Sequence, residues 1–485
     1  MHSERRAEPD GYDFVVIGGG SAGTAAAAEA VKLGHERVLL VNDRELGGLC
    51  ILAGCVPTKT LLHSAERLLD LHGAQRLGID APVVGVRLDA LQERRRALVE
   101  RFKGANGRSV ANAGYEIAAG RACFESHDVV CITGVDGSER RVSARAFLVA
   151  TGSRAVRPAL PGLAGTPYWT SDEALTVEHV PATLAIVGGG AVALEFATFF
   201  AALGTRVTLL SRSPLLGGDE RLASVLAKNL TDSGVCVETG AEVTNVAHDG
   251  GRFEVEWFRG DGRENVRTER LLLATGRAPA LEGLRLDVAG VEVEVVDGRP
   301  ILDEHLCGTN GRVFFAGDAS GEHLVLHLAN EQGRHVARNL ARHARETRLA
   351  RWQERVPLQV VFTHPPYAAC GVSAQAARAA GLDVVTASRD LSNLGRGIVM
   401  DVPPGGGYVE LVAERPSSRL LGCTIVGPRA DDLVHVVALA LHMGASARDL
   451  LAAPWYHPTL SEVFLELARE IALACEQPLA AIHVG

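Results

Sequence analysis

Asp13-Phe-Val-Val-Ile-Gly-Gly-Gly-Ser-Ala-Gly23 opens on an apolar run and closes on glycines. A buried strand reads as such a run, and glycines directly behind it mark a turn into a helix. Residues 24–33 are Ala-rich and free of Gly and Pro, and a second apolar run at 38–41 completes a β-α-β unit. Gly18, Gly20 and Gly23, with Ser21 among them, give the G-x-G-x-x-G spacing. Glycine there lets a pyrophosphate approach the backbone at the positive end of the next helix. An acid near the end of the second strand is expected to bind a ribose 2′-OH. Asn42 and Asp43 stand there, and Asp43 is the better acceptor.

The same grammar returns at Leu184-Ala-Ile-Val-Gly-Gly-Gly-Ala-Val-Ala193, followed by a helical stretch at 194–203 and an apolar run at 206–210. Gly188 and Gly190 hold their places, and Ala193 replaces the third glycine with a residue small enough for close helix–strand packing. The second strand ends at Ser211-Arg212, with no acid. A carboxylate would repel a 2′-phosphate, whereas Arg212 can pair with one, so NADPH is favoured over NADH. Two dinucleotide folds are therefore expected on one chain.

At 485 residues the chain has room for about three domains of ordinary size. Hydrophobic residues at 47% and charged ones at 22% match a globular protein able to build a core. The formal net charge of −9 offers no basic footprint to nucleic acid or to anionic lipid. No apolar run is long enough for a membrane span and the first residues lack a signal-peptide core, so a cytoplasmic protein is expected. Nine cysteines are present, and Cys123, Cys131, Cys236, Cys307, Cys370, Cys423 and Cys475 stand apart in sequence. In a reducing compartment they read as buried small hydrophobes.

Residues 86–102 read as an amphipathic packing helix without chemistry. After Gly276 short strands and turns follow, with Val313-Phe-Phe-Ala-Gly-Asp-Ala319 as the marked strand-and-turn. From about Arg355, strands at 359–363, 408–413 and 422–426 and helices from Asp431 onward suggest an α+β domain. Pro403-Pro-Gly-Gly-Gly407 reads as a hairpin loop.

Two stretches carry reactive groups. Gly47-Gly-Leu-Cys-Ile-Leu-Ala-Gly-Cys-Val-Pro-Thr-Lys59 sets two cysteines five apart behind a dinucleotide unit. On a regular helix these positions diverge, so a disulfide requires the distortion that Gly54 and Pro57 offer. A zinc site would need four ligands, and no second cysteine or histidine pair is near; inert core thiols are the remaining reading. Trp455-Tyr-His-Pro-Thr-Leu-Ser-Glu462 sets His457 and Glu462 five apart. A carboxylate on one imidazole nitrogen fixes the tautomer and leaves the other to move protons, the outline of an acid/base dyad.

Taken together, these motifs resemble the flavin-dependent pyridine nucleotide-disulfide oxidoreductases, the family of glutathione reductase, dihydrolipoamide dehydrogenase and mercuric reductase. Ala150-Thr-Gly-Ser153 and Ala274-Thr-Gly-Arg277 resemble its crossover strands, bringing Thr151, Gly152 and Gly276 to the cofactors, and Phe315-Ala-Gly-Asp318 resembles its second flavin motif, with Asp318 on the ribityl chain. The resemblance covers the chain from Tyr12 to about Arg469. It implies an α/β fold: two Rossmann-like dinucleotide-binding domains plus a C-terminal α+β dimerisation domain. The divisions expected are 11–154 for the first part of the FAD-binding domain, 155–280 for NAD(P), 281–354 completing the FAD domain, and 355–485 for dimerisation.

The resemblance further implies FAD on the first unit, NADPH on the second, and a redox-active Cys50–Cys55 disulfide against the flavin. Cys55 would contact the flavin and Cys50 would exchange with substrate. Lys59 and Glu195 match an ion pair beside flavin N5, and His457, supplied by the second subunit of a homodimer and oriented by Glu462, would be the base for Cys50. The reaction implied is NADPH-dependent reduction of a small disulfide substrate, with NAD-dependent dithiol oxidation or a mercuric-reductase-like reaction as alternatives. Three departures bear on substrate: Ala28 replaces the arginine of glutathione reductases, Ser211-Arg212 replaces the glutamate usual in dihydrolipoamide dehydrogenases, and Cys475 alone stands where mercuric reductases need a cysteine pair. Ala191 occupies the place of a tyrosine gate found in several relatives.

Overall fold

The computed structural model describes residues 10–82, 85–322, 324–345, 347–353 and 355–475. These fall into two compact units. The first takes the chain up to Thr60, then Gln92–Val156, then from Gly276 to the break before Arg355. The second takes Leu61–Leu91, Arg157–Thr275 and the chain from Arg355 onward. The divisions expected after residues 154, 280 and 354 lie beside breaks after Val156 and Thr275 and before Arg355. Leu61–Leu91 goes to the second unit because Leu61, Leu62, Ala65 and Leu68 pack into the same core as Leu194, Phe196, Phe199 and Phe200.

In the first unit the strand Asp10–Ile17 pairs in parallel with Val38–Asn42 and with Glu139–Val149, which in turn pairs in parallel with Val313–Phe315. The nearly all-apolar interiors of these strands fit a sheet covered on both faces. One face packs Val15, Leu39, Phe124, Phe147 and Phe315; the other packs Phe14, Val16 and Leu40 under the helices Ser21–Lys32 and Leu326–Ala344. Those helices lie close because Gly333 faces the Ala22 carbonyl with no side chain between. The antiparallel run Glu116–Phe124, Val129–Gly134 and Glu139–Val149 extends the sheet. The helix expected over 86–102 forms over Leu88–Ala111.

The second unit repeats the parallel arrangement in four strands ordered Arg270–Leu273, Thr183–Val187, Arg206–Ser211, Val235–Thr239. The helix Ala191–Ala202 follows the glycine turn and buries Phe196, Phe199 and Phe200. Its C-terminal part is a five-stranded antiparallel sheet from Leu358–Val361 to Val384–Arg389, packed with the helices Ala430–His442 and Glu462–Ala474. Pro403–Gly407 is not a hairpin loop: it turns the short helix Gly395–Val399 into the strand Tyr408–Glu414, with Gly406 N–H on the Pro403 carbonyl at 2.9 Å. Among the described residues no helix is long and apolar enough to cross a membrane.

Candidate active site

At Gly18 and Gly23 the first glycine turn leaves no room for a side chain. Gly18 has φ +115°, and a Cβ there would collide with the Ala150 carbonyl oxygen; a Cβ on Gly23 would collide with the Gly18 oxygen. Gly20 caps the helix Ser21–Lys32 without any side chain on the free backbone N–H groups, and no acid occupies the first turn. This is the arrangement that accepts a pyrophosphate. Asn42 plays a different part from the ribose role considered for it: its Oδ1 accepts Gly19 N–H at 2.8 Å and its amide donates to the Arg44 carbonyl, so it holds the turn. Asp43 is exposed, with Arg121 at 3.6 Å and Arg44 at 3.8 Å.

The cysteine motif starts against this turn. Gly48, at φ +60°, lies so near Gly20 that a Cβ would sit 2.6 Å from the Gly20 Cα. Cys50 falls in the short helix Gly48–Leu52 and Cys55 opens the helix Cys55–Gly73. The break is at Ala53 and Gly54; a Cβ on Gly54 would meet the Leu49 carbonyl oxygen at 2.8 Å. Pro57 lies in the first turn of the second helix, where its missing N–H is no loss, so it is not the breaker. The break brings both sulfurs together as thiols. The hydrogen bond to the Cys55 side chain, then burial, push the Cys50 thiol well above the ordinary range; Lys59 and the Cys55 backbone oppose this. Cys50 is half-buried and Cys55 exposed. Among the described residues, no cluster of three or more His, Cys, Asp or Glu side chains is placed to hold a metal ion.

A third part of the first unit comes from the crossover strands Ser153–Ala155 and Arg277–Pro279, which pair antiparallel. Ser153 Oγ donates to Asp318 at 2.5 Å, and Arg277 donates through Nε to Ser153 Oγ and through its guanidinium NH₂ to the Ser153 carbonyl, both at 2.8 Å. Gln332, buried on the helix Leu326–Ala344, accepts Gly317 N–H at 2.7 Å and so sets the loop of Asp318. Arg277 and Gln332 are site residues that the sequence does not mark, since each reaches its partner across a long separation in the chain. Thr151 Oγ1 is buried without a partner, Gly152 is at φ +76°, and Gly276 belongs to this unit, its carbonyl accepting Val156 N–H at 3.0 Å. An orphaned hydroxyl beside an open glycine turn fits a flavin dinucleotide.

In the second unit a Cβ on Gly188 would collide with the Ala274 carbonyl, and Gly190, with nothing within 4 Å of its Cβ position, caps the helix Ala191–Ala202. Ser211 is buried beneath Gly189, its hydroxyl on the Ser213 carbonyl at 2.6 Å. Arg212 is exposed, and no carboxylate pairs with it among the described residues. Glu195 is buried and accepts Phe362 N–H at 3.1 Å; Lys59 belongs to the first unit.

The second unit also holds His457 and Glu462. His457 Nδ1 lies 2.9 Å from Glu462 Oε1, and Glu462 Oε2 accepts Thr459 N–H at 2.8 Å. That backbone bond, against the opposing effect of burial and with help from His457, holds the Glu462 carboxyl below its usual range, so it stays ionised beside the ring. The imidazole is 76% exposed, leaving Nε2 accessible.

A family model described as pyridine nucleotide-disulphide oxidoreductase matches residues 12–346, and the same family's dimerisation domain matches 357–468. The chain belongs to this family. Among its relatives, a dihydrolipoyl dehydrogenase of Thermus scotoductus is 34% identical over 95% of this chain and 97% of its own length. A mercuric reductase of Streptomyces lividans is 33% identical over 96% of both. Of solved structures, the Cu(II) complex of the HOCl-induced flavoprotein disulfide reductase RclA from Escherichia coli aligns with TM-score 0.82 and 25% identity, covering 95% of this chain and 99% of that one. The oxidoreductase is accordingly FAD-dependent, uses a pyridine nucleotide and acts on a sulfur group. Its dimerisation domain supports a homodimer.

Proposed function

We propose that this oxidoreductase is a cytoplasmic, homodimeric enzyme that uses NADPH to reduce a small disulfide through Cys50 and Cys55. The observation that carries the reading is the pair of adjacent thiols, Cys50 hydrogen-bonded to Cys55, at a helix break seated on the first glycine turn. FAD would be held by Gly18, Gly20, Ser21, Gly23, Asp43, Thr151, Gly152 and Asp318, and when bound supplies a two-electron relay between nicotinamide and sulfur. NADPH would be held by Gly188, Gly190 and Arg212, with Gly276 on the connection between the two sites. Lys59, one turn beyond Cys55 on its helix, would bring a positive charge to the flavin.

The thiol chemistry rests on residues of the chain. His457 takes the proton of Cys50, and Glu462 keeps the ring oriented and stabilises its positive charge. The Cys50 thiolate attacks one sulfur of the substrate disulfide, expelling the other half as a thiolate that receives the proton from His457. Cys55 then attacks Cys50, releasing the second thiol and closing the Cys50–Cys55 disulfide. One substrate disulfide becomes two thiols, and the enzyme dithiol becomes a disulfide.

A second reading, dithiol oxidation with NAD, is favoured by the likeness to dihydrolipoyl dehydrogenases. Arg212 in place of an acid opposes it. Initial rates with NADPH and NADH at equal concentration separate the two: a marked preference for NADPH is expected, and a preference for NADH would remove it. Replacing Cys50 by Ser should abolish disulfide turnover, and surviving turnover would overturn the thiol mechanism.

A further inference from the structure

Four cysteines that stand apart in sequence meet as register partners in antiparallel strands. Cys370 faces Cys423, and Cys123 faces Cys131. The first couple is sealed in the core, at 2% and 3% exposure, and burial pushes the Cys370 thiol up to about 12, so it serves packing. The second couple differs. Ala122, Phe124, Val130 and Ile132 point into the core of the first unit, so alternation sets Cys123 and Cys131 together on the opposite face. There Cys123 is half-exposed and Cys131 is buried, beside Arg141, its partner on the next strand, and the ion pair of Arg141 with Glu125 at 2.8 and 3.0 Å.

The register permits a bond. Glu125 N–H reaches the Val129 carbonyl at 2.9 Å, and the ladder alternates by two, so Cys123 and Cys131 form a hydrogen-bonded couple as well. Cα atoms in such couples are about 5.5 Å apart, inside the disulfide range of about 4.4–6.8 Å. Facing Cβ atoms at about 4.5–5.5 Å must close to about 3.5–4.5 Å, so the strands draw together and the bond is readily reduced again.

We propose that Cys123 and Cys131 are a second thiol couple, apart from the Cys50/Cys55 pair, which hydrogen peroxide converts to a reversible disulfide across this hairpin. Cys123, the more exposed thiol, meets the oxidant. Its thiolate attacks a peroxide oxygen, the O–O bond breaks, hydroxide leaves, and the sulfur is oxidised to a sulfenic acid. The Cys131 sulfur displaces the sulfenic oxygen as water and loses its proton. In sum, two thiols and one hydrogen peroxide give one disulfide and two waters. Burial first, then the Glu139 and Glu125 carboxylates, raise the Cys131 thiol, with Arg141 opposing, so the second step quickens as pH rises.

The test uses the full chain loaded with FAD, both unaltered and as a Cys50→Ser/Cys55→Ser variant. Hydrogen peroxide is added stepwise, remaining thiols are capped with N-ethylmaleimide, and the unreduced protein is digested. Cleavage after Glu125, between the two cysteines, should leave fragments joined until dithiothreitol parts them, with two thiols lost from the Cys50→Ser/Cys55→Ser variant. Cys123→Ser or Cys131→Ser in the same background should prevent the joining. Capping of both residues after peroxide, oxidation of Cys123 to sulfinic acid without cross-linking, or a bond from either cysteine to a third, would each overturn the proposal, and none depends on whether Cys50 is the substrate thiol.

Discussion

A thiol that keeps its proton attacks no disulfide, and Cys50 is held in that state by its hydrogen bond to Cys55 and by burial. A base is therefore needed near neutral pH. His457→Ala should slow disulfide exchange by about 100-fold or more while leaving flavin reduction by NADPH nearly unchanged, as stopped-flow separation of the two half-reactions would read. In that variant the thiolate fraction of Cys50 limits the rate. Its pKa lies above the range assayed, so exchange should rise about tenfold per pH unit across the neutral range; a flat profile would count against the assignment. Arg212→Ala should raise KM for NADPH about tenfold or more and leave KM for NADH unchanged. At this scale the sequence was legible where spacing is local: Cys50 with Cys55, His457 with Glu462. Arg277 and Gln332 escaped because each meets its partner only after the chain has folded back, Arg277 onto Ser153 and Gln332 onto Gly317.

Among the elements, the cysteine helix and the first glycine turn act as one piece, since Gly48 touches Gly20. Gly48→Ala would add both a collision and a left-handed non-glycine residue, the latter costing about 1–3 kcal/mol. The expected result is protein that loses FAD on gel filtration, read as a fall in flavin absorbance relative to protein, whereas Gly85→Ala, with open space around it, should retain it. Strand–turn–helix units were legible because apolar runs, glycines and helix formers follow one another in sequence. The helix break was legible in part: Gly54 and Pro57 both offered a distortion, but the first turn of a helix tolerates Pro57, and the chain bends at Ala53–Gly54 alone. Pro403–Gly407 misled for a similar reason, because a Pro-Gly cluster marks a turn without revealing which elements it joins.

For the whole molecule, the decisive question is which subunit supplies the base. Mixing Cys50→Ser and His457→Ala chains one to one, with exchange of subunits, should restore about a quarter of wild-type activity if His457 serves the partner, since half the dimers then carry one intact site. If each chain used its own histidine, the mixture would stay inactive. The two dinucleotide folds were legible from the repeated grammar, but the allegiance of Leu61–Leu91 to the second unit was not, because it depends on which distant phenylalanines its leucines meet. The repetition reaches down to one detail. In each unit the last side chain of the second strand lies under the middle glycine, Asn42 under Gly19 and Ser211 under Gly189, and the next residue, Asp43 or Arg212, faces solvent. On the proposed reading, the second unit writes architecture and reductant preference in adjacent codons, Ser211 and Arg212, without sharing one. A descendant of this enzyme could exchange one nicotinamide donor for the other by drift at the outward position, its scaffold untouched.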